Sequence, residues 1–225
     1  MQIRVLFDSR FLQKRFCTGW GVSFLVNGDI LFDGGEKAEP LLKNMESMGA
    51  EISDIKNVVV SHDHWDHTGG LWELLKRNSG VKVYVCPGFS RNFKSKVRSL
   101  GGKLAEAAAA LRISDGIYTT GEIAGEYNGR FMPEQSLVLK VSKGLIVITG
   151  CAHPGITNIT KKAKEQFPGE CVYMVFGGFH LMDEGEVLIE SVVKELRSLG
   201  VKKVGPTHCS GKTAERIFRF FSILC

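Results

Sequence analysis

Ser61-His62-Asp63-His64-Trp65-Asp66-His67-Thr68-Gly69-Gly70 follows directly on the apolar run Val58-Val59-Val60 and is itself followed by Leu71–Leu75. The run before it reads as a buried strand and the run after it as a helix, so these residues load a strand end with candidate metal ligands. His62 and His64, at i and i+2, can converge on one ion, while Asp66 and His67 turn towards a second. Imidazole and carboxylate together suit zinc, manganese or iron, and neutral imidazole is the commonest metal ligand. A lone loop histidine is more often a hydrogen-bonded structural residue. Three histidines and an aspartate packed between a strand and Thr-Gly-Gly reverse that weighting.

The remaining histidines repeat the pattern. His153 stands in Gly150-Cys151-Ala152-His153-Pro154-Gly155, His180 in Gly177-Gly178-Phe179-His180-Leu181, and His208 in Pro206-Thr207-His208-Cys209-Ser210-Gly211. Each segment follows a strand-like run, and none of the six histidines falls inside a predicted helix. Glycines let the backbone turn sharply there, so a side chain can project from the strand end. Cys151 and Cys209 each lie within two residues of a histidine. They read either as ligands or ligand neighbours, or as small buried apolar residues beside a site.

Working outward, Ile3–Phe7, Val22–Val26 and Ile30–Phe32 are strand-like, and Asn27-Gly28 between the last two signals a hairpin. Apolar residues recur at helical spacing from Ala38 to Met48, and Gly49 fits a helix stop. Val81–Val85 reads as a strand. The middle, Pro87 to Gly129, is less regular, with a helix predicted across Leu104–Leu111 and a short strand near Ile117–Thr119. Strands follow at Ser136–Val141, Leu145–Thr149, Cys171–Phe176 and Lys202–Val204, with helices over Ile156–Gln166 and Glu184–Leu199 and one more at the end. Hairpins come first in each half and strand–helix alternation later, an order that predicts an α/β chain with a mixed sheet and outer helices in each half.

The chain has 225 residues, 44% hydrophobic and 24% charged, which fits a single globular domain spanning residues 1–225. No apolar stretch reaches the ~20 residues of a membrane span, and Met1–Asp8 lacks a signal-peptide pattern, so a cytoplasmic location is expected. In that reducing compartment the six scattered cysteines, with no CxxC pair, are expected as free thiols. The net charge of +5 is too weak to imply a nucleic-acid partner unless it is concentrated.

His62-Asp63-His64-Trp65-Asp66-His67-Thr68-Gly69-Gly70 resembles the signature loop of the metallo-β-lactamase superfamily, and Leu31-Phe32-Asp33-Gly34-Gly35 looks like its upstream strand-Asp-x-Gly element. The later histidine segments resemble one branch, which includes dihydropterin–ribofuranosylaminobenzene 5′-phosphate synthases. That resemblance implies a four-layer αββα sandwich of two mixed sheets with outer helices. It implies that His62, His64 and His153 hold a first ion and that Asp66, His67 and His208 hold a second, zinc ions with manganese or iron as alternatives. The superfamily usually bridges the two ions with an aspartate, and the matching strand end here reads Gly177-Gly178-Phe179-His180. His180 is the candidate replacement or a substrate contact, and Asp183 a weaker one.

Two such ions would activate water for attack on a small ester or phosphoester. Asp66 is the candidate to orient that water, and His180 or His208 to stabilise the oxyanion. The basic segment Arg91, Lys94, Lys96, Arg98 and Lys103, interleaved with Phe89 and Phe93, reads either as a lid for a phosphorylated small molecule or as a solvated helix face. Arg91 and Lys94 of that segment and Phe179 are the substrate-binding candidates, with Gly177-Gly178-Phe179 and Phe131-Met132-Pro133 as candidate pocket linings. The alternatives are a synthase-type transfer joining a pterin carbon to a ribosyl-aminobenzene phosphate, and an RNA-processing or RNA-binding module. One fold hosts unrelated reactions, so resemblance alone does not choose.

Overall fold

A computed structural model describes residues 1–10 and 13–221 and divides the chain into two units, Met1–Ala108 and Ala109–Cys225. Cys225 lies outside the described residues. The other cysteines, Cys17, Cys86, Cys151, Cys171 and Cys209, are free thiols.

In the first unit, β1 (Ile3–Phe7), β2 (Ser23–Val26) and β3 (Ile30–Phe32) are antiparallel neighbours. The predicted hairpin is present, with Asn27 and Gly28 both at positive φ, 52° and 88°. The chain continues through α1 (Ala38–Ser47), β4 (Asn57–Val59), α2 (Trp65–Thr68), α3 (Leu71–Arg77), β5 (Lys82–Val85), α4 (Arg91–Ser99) and β6 (Lys103–Glu106). From β3 to β6 every pairing is parallel, in the order β1-β2-β3-β4-β5-β6. One sheet face carries Leu25, Leu31, Val58, Val60, Val83 and Val85 into a cluster with Leu41 and Met45 of α1, Leu74 of α3, and Phe93 and Val97 of α4. Phe24, Phe32, Val59 and Tyr84 on the other face are buried too. That is why β4 reads as an uninterrupted valine run, since a parallel strand buried on both faces has no polar side to show.

The second unit holds β7 (Leu111–Ser114), β8 (Ile117–Thr119), the small ribbon β9 (Glu126–Tyr127) and β10 (Arg130–Phe131), then β11 (Leu137–Val141), β12 (Gly144–Thr149), α5 (Ile156–Gln166), β13 (Val172–Gly178), α6 (Glu186–Ser198), β14 (Lys203–Thr207) and α7 (Gly211–Phe218). Its sheet runs β14-β13-β12-β11-β8-β7. β12, β13 and β14 are parallel, with Thr149 beside Gly177 and Gly178 beside Thr207, so three strands end in register at one edge. Val147, Val172 and Val175 pack under Ile159 and Ala163 of α5, Ile189 and Leu196 of α6, and Ala214 and Phe218 of α7. Each of the valine, leucine, isoleucine and phenylalanine side chains contributes about 1.5–3 kcal/mol on full burial.

Two expectations are corrected. The helix predicted over Leu104–Leu111 is absent: Lys103–Glu106 is β6, paired parallel with β5, and Leu111 opens β7. The alanines at 107–110 favour helix locally, but an open ladder beside β5 outweighs that weak preference. The helix of this region is instead α4, opened by Ser90, whose hydroxyl accepts the Phe93 amide at 3.1 Å. The histidines are also not all outside helices, since His67 lies in the four-residue α2 and His208 opens a 3₁₀ turn. Among the described residues no helix is long and apolar enough to cross a membrane.

Candidate metal centre

In the first unit the site is built on the ends of β3 and β4. Asp33 follows β3 with φ 57°, fully buried, and its carboxylate gathers three donors. The Ser61 amide reaches Oδ1 at 2.7 Å, while the Ser61 hydroxyl and His67 Nδ1 reach Oδ2, each at 2.7 Å. His67 therefore carries its proton on Nδ1 and its lone pair on Nε2, the nitrogen a metal would take. The same carboxylate acts on His62 through a relay. Ser61 gives its proton to Asp33, so its oxygen is left to accept from His62 Nδ1 at 2.9 Å, which again puts the lone pair on Nε2. Burial pushes the Asp33 carboxyl up, opposed by His67 and by both Ser61 bonds.

His62 Nε2 stands 3.1 Å from His64 Nδ1, and His67 Nε2 stands 3.5 Å from Asp66 Oδ2. The four predicted ligands of the loop are thus gathered as two pairs. Thr68 Oγ1 donates to the His64 carbonyl at 3.0 Å and Gly34 N donates to the His67 carbonyl at 2.7 Å, locking α2 against the Asp33 turn. Gly69 is required there: a Cβ on it would lie 1.8 Å from the Glu36 carbonyl oxygen.

In the second unit the loops after β12, β13 and β14 carry Cys151 and His153, then His180, then His208 and Cys209. Glu134, fully buried, organises the first of them. Its Oε1 accepts the amides of Cys151 at 3.0 Å and Ala152 at 2.8 Å, and its Oε2 accepts the His153 amide at 2.9 Å and His153 Nδ1 at 3.1 Å. These bonds hold Ala152 at φ 67° and present His153 Nε2 for ligation. Burial pushes Glu134 up, but the His153 ring and the backbone amides outweigh it and hold the carboxyl below its ordinary value.

Cys151 Sγ lies 3.4 Å from His208 Nε2, and the ligand atoms of Cys151, His153 and His180 all fall within 4.8 Å of one another. His180 and His208 both take positive φ, 52° and 51°, so both turns carry strain that their surroundings offset. A hydrogen bond with Cys209 raises the His180 pKa against desolvation. Burial pushes the Cys209 thiol up, but Cys151, His180 and the charge of His208 hold it well below the ordinary value. Tyr127 faces both His153 and His180, with ring centroids 5.3 and 5.6 Å away.

This donor set fits a transition-metal ion. Two nitrogens on one tetrahedral zinc lie roughly 3.3 Å apart, and a nitrogen and a thiolate sulfur roughly 3.6 Å. The pairs His62–His64 at 3.1 Å and Cys151–His208 at 3.4 Å match those edges. Each unit supplies a histidine whose far nitrogen is tied to a buried carboxylate, as metal-bound imidazoles usually are.

Residues 21–134 match the metallo-beta-lactamase superfamily. The chain is 32% identical, over 90% of its length and 85% of the relative's, to the 7,8-dihydropterin-6-methyl-4-(beta-D-ribofuranosyl)-aminobenzene-5′-phosphate synthase of Methanocaldococcus jannaschii.

The chain belongs to the metallo-β-lactamase superfamily.

The crystal structure of a metal-dependent hydrolase of the beta-lactamase superfamily superposes with a TM-score of 0.80 at 32% identity, covering 96% of this chain and 91% of the other. Human tRNase Z, short form, superposes with a TM-score of 0.60 at 16% identity, over 92% of each chain, and shares the fold alone. Within this superfamily member, Arg91, Lys94, Lys96 and Arg98 of the basic segment lie on α4, seated on the sheet by Phe93 and Val97, while Lys103 opens β6. Lys94 donates to the Pro87 carbonyl at 2.7 Å and to Glu106 at 3.0 Å, Lys96 lies 3.9 Å over the Trp72 ring, and Arg91 is exposed. Phe179 is buried edge-to-face on Phe218, centroids 5.5 Å apart, and Phe131 is exposed on β10.

A 230 Å³ pocket opens beside His153 and His180, lined also by Phe179, Thr157, Leu188 and Val192. A larger cavity of 650 Å³, between α1 and α3, is lined by Glu39, Leu42, Lys43 and Arg77 and contains none of the histidines. Asp33, Glu134 and Tyr127 are the site residues that the sequence reading did not single out. The strand-Asp-x-Gly element was a signal for Asp33; no comparable local pattern marks Glu134 or Tyr127.

Proposed function

We propose that this protein is a metal-dependent enzyme that hydrolyses a small ester or phosphoester, with His62, His64, Asp66, His67, His153 and His208 as ligands. The observation that carries the reading is the pair of buried acids, Asp33 on His67 Nδ1 and Glu134 on His153 Nδ1, each of which fixes a histidine in its ligating tautomer. Histidine-rich sets that include a carboxylate are typical of catalytic sites, whereas structural zinc sites are closed and cysteine-rich. The bound ions, zinc with manganese or iron as alternatives, supply Lewis acidity that lowers the pKa of water towards ~7 and polarises a carbonyl or phosphoryl oxygen.

Asp66 would orient the attacking water through its carboxylate, which lies at the His67 edge. His180, raised by Cys209 and set at the pocket beside His153, would donate a proton towards the oxyanion. The pocket borders Gly155, Ile156 and Thr157 at the start of α5, where no side chain caps the helix and no acid stands in the first turn. Amides there favour an anionic group such as a phosphate.

The second reading is a synthase-type transfer on a pterin-linked phosphate. It is favoured by the 32% identity over nearly the whole of the Methanocaldococcus jannaschii synthase.

Both readings are tested on protein purified without chelator. Metal content is measured by elemental analysis, and turnover is followed on a phosphodiester, a phosphomonoester and an ester with added Zn²⁺, Mn²⁺ or Fe²⁺, and on a dihydropterin with a phosphorylated ribosyl-aminobenzene. The expected result is bound metal with metal-dependent hydrolysis, reduced about a hundredfold or more by Asp66→Ala at unchanged fold. Bound metal with condensation but no hydrolysis selects the synthase. Full turnover of the metal-replete Asp66→Ala protein removes Asp66 from the mechanism.

A further inference from the structure

The geometry points to Cys151 as a metal ligand that shares an ion with His208. The inference rests on the metal-dependent reading above and names a ligand that reading leaves out.

Cys151 is buried two residues before His153, and its Sγ stands 3.4 Å from His208 Nε2, close to the edge that a sulfur and a nitrogen make on one tetrahedral ion. On its other side it falls within 4.8 Å of the ligand atoms of His153 and His180. The thiol is therefore within reach of His153 and His180 as well as of His208. Its backbone is fixed by Glu134, which accepts the Cys151 amide at 3.0 Å and orients His153 with the same carboxylate.

The end of β13, where the bridging carboxylate was sought, has no room for one. A Cβ on Gly178 would lie 2.2 Å from the Gly150 carbonyl oxygen and 2.7 Å from Cys209 Sγ. Phe179, next in sequence, is turned into the core against Phe218. Cys209 is a weaker ligand candidate, since its thiol is turned to the Cys151 carbonyl at 3.6 Å and hydrogen-bonds with His180. On ligation the Cys151 thiol releases its proton to solvent and a sulfur–metal bond forms, with no change of oxidation state. A thiolate in the set favours zinc over manganese or magnesium.

The test is titration of metal-free protein with Co²⁺, reading bound cobalt by elemental analysis and the near-ultraviolet thiolate-to-cobalt charge-transfer band by absorbance. Wild type and Cys209→Ser should show the band, while Cys151→Ser should lose it. Cys151→Asp should also lose it, yet retain wild-type cobalt stoichiometry, and this holds the inference open if the serine variant fails to fold. Cobalt binding without a band in wild type, or a band that survives Cys151→Ser and vanishes in Cys209→Ser, overturns the assignment while leaving the metal-dependent reading intact. No cobalt binding by wild type overturns both.

Discussion

In each unit one buried carboxylate holds a candidate ligand histidine without belonging to the histidine motifs. Asp33 reaches His67 across 34 positions in sequence and Glu134 reaches His153 across 19. Buried acids are costly unless their charge is matched by donors, and here amides, a hydroxyl and ring nitrogens supply them. Replacing Glu134 by Gln puts an amide donor against backbone N–H groups and removes the charge that orients His153. Metal affinity, measured by competition with a chromophoric chelator, should fall about 10–100-fold; unchanged affinity would mean that Glu134 only shapes the turn. The variant should also alter the pH dependence of stability in metal-free protein. Glu134 is held below its ordinary value of 4.5, so its stabilising contribution is complete above that pH and is lost as pH falls through the depressed value. The melting temperatures of wild type and Glu134→Gln should accordingly converge in acid.

The ligand-bearing turns are legible as elements and only partly as conformations. The run Val58–Val60 before the histidine loop, and Gly150, Gly178 and Thr207 at the strand ends of the second unit, mark where parallel strands deliver the chain to one edge. What the pattern could not reveal is how closely the Gly34–Glu36 segment lies on Gly69. Because a Cβ at Gly69 would meet a backbone oxygen and not a movable side chain, Gly69→Ala should cost about 1–3 kcal/mol or more. Urea denaturation checks this, and a cost within 0.5 kcal/mol would show that the Asp33 turn and α2 can separate freely. The misread helix at Leu104–Leu111 has the same origin. Four alanines in sequence favour helix, but the ladder position beside β5 exists only once the sheet has formed. Ser90 and the amphipathic residues after it were the better local signal, since α4 buries Phe93 and Val97.

For the whole chain, the proposed metal binding would be linked to folding. An ion that binds the folded protein alone stabilises it by about 2.7 kcal/mol at a hundredfold excess over its dissociation constant. Removing metal with a chelator should therefore lower the melting temperature by several degrees, and adding back Zn²⁺ should restore it; identical melting curves would argue against ligation in the native state. The sequence by itself determined the family, the two mixed sheets and the histidine ligand candidates, because those residues sit in short motifs at strand ends, where local pattern and site coincide. Tertiary structure alone decided which nitrogen His62, His67 and His153 offer, that Asp33 and Glu134 are the acids that set it, and that Cys151 lies against His208. Those facts depend on strand register and on burial. Both bring residues far apart in sequence to hydrogen-bonding distance, and neither leaves a periodic trace along the chain.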